Sequence, residues 1–331
     1  MTGNVEISGH AAAQADSWLK HLPIGLFAMV MGLAGLSLSA WTMARLGMLP
    51  QAVASVALMA AVLAFLSIGG LYLLKLLRHS EAVRAEWSNP VRIAFFPVIS
   101  VGLLLVATAM HRLGLALAEP VWMAGTAAHL VLVIGVFSAW IGHRPFQTIH
   151  LNPVWFIPAV GTGAVPLAGF PMGYVEISWL FLAIGLTFWL VLLTLVFNRL
   201  VFHDPLPEKL APTLVIMIAP PAVCFLAWTT MSGGVLDAFG RILFYLAILF
   251  TLLVLPQLPR LARLRFSLSW WAYSFPLAAL SVASMTYGQM AGVMPLIWLG
   301  EAVFVLLVLL IALLLWRTLR AAMKGEICVP E

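Results

Sequence analysis

Charged residues are scarce in this chain: Asp, Glu, Lys and Arg make up 9% of its 331 residues, against roughly 25% in an ordinary globular domain. So few charges cannot cover the surface of a soluble fold. With 63% hydrophobic residues and a mean hydropathy of +1.07, the chain reads as an integral membrane protein. Cysteine is scarcer still. Cys224 sits in an apolar run and Cys328 in the C-terminal tail, which gives neither a disulfide framework nor metal-ligand spacing, so no metal and no cofactor are expected. His143 and His150 fall near one loop, but no Ser/His/Asp grouping accompanies them, which argues against an enzyme. The opening stretch carries Glu6 and Asp16 and lacks a basic start leading into a short apolar segment, so no cleaved signal peptide is expected.

What the chain does have is long apolar runs. A helix needs about 20 apolar residues to cross a bilayer core. The intervals between charges supply ten such runs, near residues 22–43, 52–74, 93–111, 120–141, 154–172, 177–198, 211–232, 238–258, 268–288 and 294–316. Ten crossings put fourteen lysines and arginines on the side of the N-terminus and three, Arg45, Arg112 and Arg241, on the other. An odd number of crossings would scramble that segregation. The positive-inside rule makes the richer side, with both termini, cytoplasmic. The net charge of +5 is then a topology signal, and nucleic acid is not an expected partner. Residues 1–20 and 319–331 read as short cytoplasmic tails around one transmembrane domain, 21–318.

Proline sorts the runs into two kinds. Inside or at the start of the odd runs lie Pro23, Pro97, Pro158, Pro166, Pro171, Pro212, Pro220, Pro221 and Pro276, whereas the even runs carry proline only near an end, at Pro120, Pro256 and Pro295. Glycine partly follows, with Gly25, Gly32 and Gly35 in the first run and Gly161, Gly163 and Gly169 in the fifth. A proline inside a helix leaves the carbonyl four residues back without its donor, and at membrane depth that is tolerated only inside protein or beside a water-filled cavity. The expected fold is therefore all-α: ten transmembrane helices as five helical hairpins in a ring, the proline-broken odd helices lining a central pore and the smooth even helices facing lipid. Helix-break candidates along that path are Pro23, Gly25, Pro97, Pro158, Pro166 and Pro220, together with Pro276 and the Ala272 whose carbonyl it deprives.

The path also lacks something. The middles of the odd runs hold no Asp, Glu, Lys, Arg or His. Proton-coupled carriers keep ionisable relays in the membrane and cation channels use acidic rings, so the path reads as passive. Basic residues around the cytoplasmic mouth raise the local anion concentration. Two ionisable residues lie on even runs: His129 is expected to hydrogen-bond a neighbouring helix, and Glu301 to pair with a polar group or face an external vestibule.

Four stretches carry a family likeness: "LPIGLFAMVMGLAGLSLSAW" in the first run, "EAVRAEWSNPVRIAFF" leading into the third, "IAPPAVCFLAW" in the seventh and "WWAYSFPLAALSVAS" in the ninth. They resemble the bacterial tellurite-resistance and dicarboxylate transporter family typified by TehA, to which the plant guard-cell slow anion channels are related. The resemblance runs from about residue 20 to 318. It implies five helical hairpins, a homotrimer with a pore in each protomer, permeation by small inorganic or organic anions, and a phenylalanine gate on the ninth helix at Phe275. Proline after that phenylalanine is similar to the plant and fungal pattern. The expected function is a passive anion channel of the bacterial inner membrane, in contact with membrane lipid. The alternative is a secondary carrier exporting C4-dicarboxylate, sulfite or tellurite.

Overall fold

A computed structural model describes residues 18–142 and 146–329. Glu6, Asp16 and His143, and with them the stretch on which the absence of a signal peptide was judged, lie outside the described residues. The described chain is helical throughout, with no strand among the described residues. In chain order the α-helices are α1 (Ala28–Arg45), α2 (Gln51–Arg78), α3 (Ser80–Ser88), α4 (Pro97–Arg112), α5 (Ala118–Ile141), α6 (Phe156–Gly169), α7 (Val175–Phe202), α8 (Ala219–Met231), α9 (Ala238–Val254), α10 (Leu258–Leu261), α11 (Ser274–Ala291) and α12 (Met294–Met323).

Among the described residues, eight helices are long and apolar enough to cross a membrane. Two of the ten expected runs fall short of that measure. The fifth yields only the shorter apolar helix Pro153–Gly169. The ninth, α11, carries Ser281, Ser284, Thr286, Tyr287 and Gln289, which dilute its hydropathy. Both are interior elements. Every residue of α6 is buried, and so are Ser274, Ser281 and Ser284 of α11. Polar side chains packed among helices cost less than the same groups in lipid, so low hydropathy here follows from an inside position.

Burial divides the eight into two classes. The spans Ile24–Arg45, Arg92–Arg112 and Ala211–Met231 are 67%, 83% and 78% buried, whereas the five containing α2, α5, α7, α9 and α12 are only 22–33% buried. The exposed faces of the second class are apolar, as at Leu63 and Leu66 of α2 and Leu306 and Leu309 of α12. Each consecutive pair, α1 with α2, α4 with α5, α6 with α7, α8 with α9 and α11 with α12, packs side by side, and the inner members also pack on one another: α1 on α4 and α11, α6 on α4 and α8, α8 on α11.

The prolines enter differently from the expectation of a break within a helix. Each inner α-helix is preceded by a 3-10 segment: Ile24–Phe27, Arg92–Phe95, Pro153–Trp155, Ala211–Ile218 and Leu268–Tyr273. Pro97 is the first residue of α4, Pro158 the third of α6, Pro220 the second of α8 and Pro276 the third of α11; Pro166 alone stands well inside its helix. Pro23 caps the first 3-10 segment, which contains Gly25, and Ala272 lies within the last. The 3-10 register bonds three residues ahead and carries the chain to the Ser274 amide, which donates to the Trp271 carbonyl. Proline then falls in the first α-turn, where amides have no partner within the helix, so its missing donor costs little.

Close approach of the inner helices rests on small residues, as it must where lipid supplies no hydrophobic drive between helices. A Cβ added to Gly32 would stand 2.3 Å from Ser274 Oγ, and one added to Gly35 2.7 Å from the Ala278 Cβ. The Ser39 and Ser281 hydroxyls meet at 2.7 Å, and Ser281 Oγ donates to the Gly300 carbonyl at 2.8 Å. These two bonds tie α1, α11 and α12 into one unit.

Candidate functional site

All five inner helices contribute to one cavity of about 160 Å³. Its deep end is formed by Gly35 of α1, Leu105 of α4, Leu167 of α6, Val223 of α8, and Phe275 and Ala278 of α11. Its outer part is formed by residues one to four turns further along the same helices, including Trp41, Arg45, Arg112, Thr230 and Gln289. From Gly35 to Arg45 the helical rise is about 15 Å. The cavity therefore opens at the C-terminal ends of the inner helices, on the face that carries Arg45, Arg112 and Arg241.

Phe275 is 7% exposed and contributes to the deep end of the cavity. The packing of α1 holds it there. A Cβ built on Gly35 would lie 3.7 Å from its ring edge, an ordinary van der Waals distance, so α1 passes directly beside the ring. Beside it Ser274 Oγ donates to the Trp271 carbonyl at 2.7 Å, and the Trp271 indole donates to Thr318 Oγ1 at 3.0 Å. The turn that presents Phe275 is thus pinned to α12.

Among the described residues the walls hold no acidic side chain. Five threonines line them, and four donate their hydroxyl proton back to their own helix: Thr42 to Leu38, Thr108 to Leu104, Thr229 to Phe225 and Thr230 to Leu226, at 2.8–3.0 Å. At the mouth the guanidinium carbons of Arg45 and Arg112 each lie 5.1 Å from the centre of the Trp41 ring, within the range of a cation–π attraction. No carboxylate pairs with either arginine among the described residues.

The other sequence candidates lie elsewhere. Pro23, Gly25, Pro97, Pro158, Pro166, Pro220, Ala272 and Pro276 are not among the cavity-lining residues; apart from Pro166 they sit at or before the first turns of the inner helices. His129 is wholly buried, with Nδ1 2.8 Å from Ser100 Oγ and its ring against Gly161, where an added Cβ would come within 2.3 Å. It joins α5 to α4 and α6, well away from the cavity lining. Glu301 on α12 is half-buried, its Oε1 has no partner among the described residues, and it does not line the cavity. No cluster of His, Cys, Asp and Glu fit for a metal occurs among the described residues.

Sequence reasoning counted Arg45 and Arg112 for topology and missed them as a pair. One signal was available: Trp41 and Arg45 are four apart, on one face of a helix. That Arg112 joins them depends on how α1 packs on α4, which no local pattern states.

The SLAC1 family model, described as a voltage-dependent anion channel, matches residues 21–319. Among curated proteins the chain is 32% identical over 233 residues to the S-type anion channel SLAH2 of Arabidopsis thaliana, covering 69% of this chain and 44% of that protein. It is 25% identical over 287 residues to the guard cell S-type anion channel SLAC1 of the same plant, covering 83% and 51%. It is 28% identical over 270 residues to the tellurite resistance protein TehA homolog of Haemophilus influenzae, covering 80% and 81%. The chain spans about half the length of these plant relatives and most of the bacterial one. A match over nearly the whole described chain, on helices that converge on one cavity, means that the chain belongs to the SLAC1 voltage-dependent anion channel family.

Proposed function

We propose that the chain is a passive channel for small anions, with Phe275 as its gate. The observation that carries this reading is the cavity to which all five inner helices contribute, with Phe275 at its deep end and two guanidinium groups at its mouth. An apolar ring at a constriction excludes the water a hydrated ion carries, so conduction stays low until the ring moves. Aromatic rotamers occupy discrete wells, and an ill-fitting one costs on the order of 0.5–1.5 kcal/mol, so modest perturbations suffice to shift it. Walls without carboxylates neither bind cations nor relay protons.

In this reading the ten helical segments form five hairpins in a ring, α6 and α11 crossing like the rest. The cycle of packing among α1, α4, α6, α8 and α11 supports it. The basic-rich face is cytoplasmic, with both termini, and the cavity opens on the opposite side of a bacterial inner membrane. The assembly is a homotrimer with one path in each protomer, which mass measurement in detergent checks; monomers alone would count against it.

The test is anion flux into liposomes. Phe275→Ala raises nitrate and chloride flux at least tenfold over the parent, and Phe275→Leu raises it less. Because the ring borders a cavity, its truncation costs less than the roughly 3–5 kcal/mol of a packed core phenylalanine, and the protein stays folded. Well-folded Phe275→Ala protein no more conductive than the parent would remove the gate. Uphill anion accumulation driven by a proton gradient alone would favour instead a carrier for C4-dicarboxylate, sulfite or tellurite; of these, the name of the Haemophilus relative mentions tellurite resistance.

A further inference from the structure

We infer that Arg45, Arg112 and Trp41 form an anion-capture site at the cavity mouth, which takes up a weakly hydrated monovalent anion before it reaches Phe275. The inference rests on the channel reading for what happens after capture, but the site itself stands on separate observations. The positive-inside tendency disfavours basic residues on this face. It nevertheless holds three, and two of them line the cavity. The third, Arg241, is engaged elsewhere, with Nη1 donating to the Tyr287 hydroxyl at 3.1 Å.

Both cavity arginines lie against one aromatic ring, at 5.1 Å from its centre. Attraction to one ring keeps both guanidinium groups near it despite their like charge, and no carboxylate among the described residues relieves the repulsion. An anion taken up at the mouth would. The charged donors it would meet are these guanidinium groups; four of the five threonine hydroxyls have already spent their protons on their own helices, which leaves Thr286 and Gln289 as the further polar lining. Guanidinium is itself weakly hydrated and forks toward planar or diffuse charge. Half-exposed guanidinium on apolar walls therefore selects anions that shed water readily, such as bromide or nitrate, over strongly hydrated sulfate. Each arginine serves capture and the ring serves to hold both.

Bromide is the probe. Crystals of the parent protein soaked in sodium bromide should show an anomalous peak at the cavity mouth beside Arg45 and Arg112. The peak should vanish in the R45Q/R112Q double variant, whose exposed or half-exposed positions leave folding intact. In liposomes, with the Phe275→Ala gate opened, the half-saturating bromide concentration on this face should rise about tenfold for each single glutamine variant, with maximal flux changed less than twofold. Arg112→Lys, which keeps the charge but loses the weakly hydrated fork, should recover only part of the loss. A missing peak, or glutamine variants with unaltered half-saturation, would overturn the site. A peak that depends on both arginines in a protein that carries no bromide even as Phe275→Ala would leave capture standing and remove the channel.

Discussion

Two groups of cations on opposite faces of the molecule are built in opposite ways. On the basic-rich face, Lys75 of α2 is 1% exposed and its ammonium is fully committed: it lies 3.0 Å from Glu86 Oε2 and donates to the Leu22 carbonyl at 2.7 Å. The Tyr72 hydroxyl donates to the same carboxylate oxygen at 2.6 Å, and Arg92 approaches the other at 4.0 Å. This cluster fastens α2 and α3 to the segment just before Ile24–Phe27. On the other face, Arg45 and Arg112 have a ring and a cavity and no carboxylate among the described residues. On the richer face a buried cation serves as a structural bolt, and on the poorer face two cations at the cavity mouth stand open to an ion.

The sharpest way to break that comparison is to remove one charge from each face. Glu86→Gln strands a buried ammonium, which should cost about 3–5 kcal/mol, read as a fall in the denaturant midpoint in detergent. Adding Lys75→Met to Glu86→Gln should restore much of it, since the loss comes from the uncompensated charge. Arg45→Gln on the open face should change stability by no more than about 0.5 kcal/mol while altering anion flux. Equal destabilisation by the two single changes would refute the division into bolt and open site.

A smaller contrast lies along the first inner helix, whose ends belong to the two faces. Gly35→Ala adds a methyl 2.7 Å from the Ala278 Cβ. Overpacking of that kind costs about 1–3 kcal/mol. It should push α1 from α11 beside the Phe275 ring and raise resting anion leak. Gly25→Ala, in the 3-10 segment just ahead of α1, meets only the Phe95 ring at 3.8 Å and should be neutral within about 0.5 kcal/mol. A Gly35→Ala protein with parental stability and leak would show that the close approach of α1 to α11 does not set the ring.

Much of this fold was legible in the sequence, for a physical reason. Lipid allows few alternatives, so the gaps between charges marked eight long apolar helices. The fifth and ninth runs were legible as helices by their position between connections, although interior packing made one short and the other polar. The 3-10 segments ahead of the inner helices were not legible. Proline reads the same way from sequence whether it breaks a helix in the middle or sits in its first turn, and only the register of the preceding residues separates the two. Phe275 was found through family likeness and not through its spacing. The Lys75 cluster and the Arg45–Trp41–Arg112 group were hidden for one reason. In each, the charge could be counted, but its partner comes from another helix and is fixed by tertiary packing.

Cys328 offers the smallest effect and a direct check on which face is cytoplasmic. Burial raises its thiol above the ordinary value of 9.0, and the nearby Lys75 ammonium lowers it by less. A raised thiol holds less thiolate at a given pH, and thiolate is the form that reacts. Alkylation at neutral pH should therefore be slower than for an exposed cysteine, and should keep accelerating at pH values where an ordinary thiol has levelled off. The sign distinguishes this from a merely activated thiol, for which proximity to a lysine alone would speed the reaction at neutral pH. In intact cells a membrane-impermeant maleimide should leave Cys328 untouched at any tolerated pH, because the residue belongs to the Lys75 face. In inside-out vesicles it should label, slowly at pH 7 and faster at pH 9. Cys224, buried in α8, should stay silent in both. Labelling of Cys328 in intact cells would turn the molecule over and set the open arginines toward the cytoplasm.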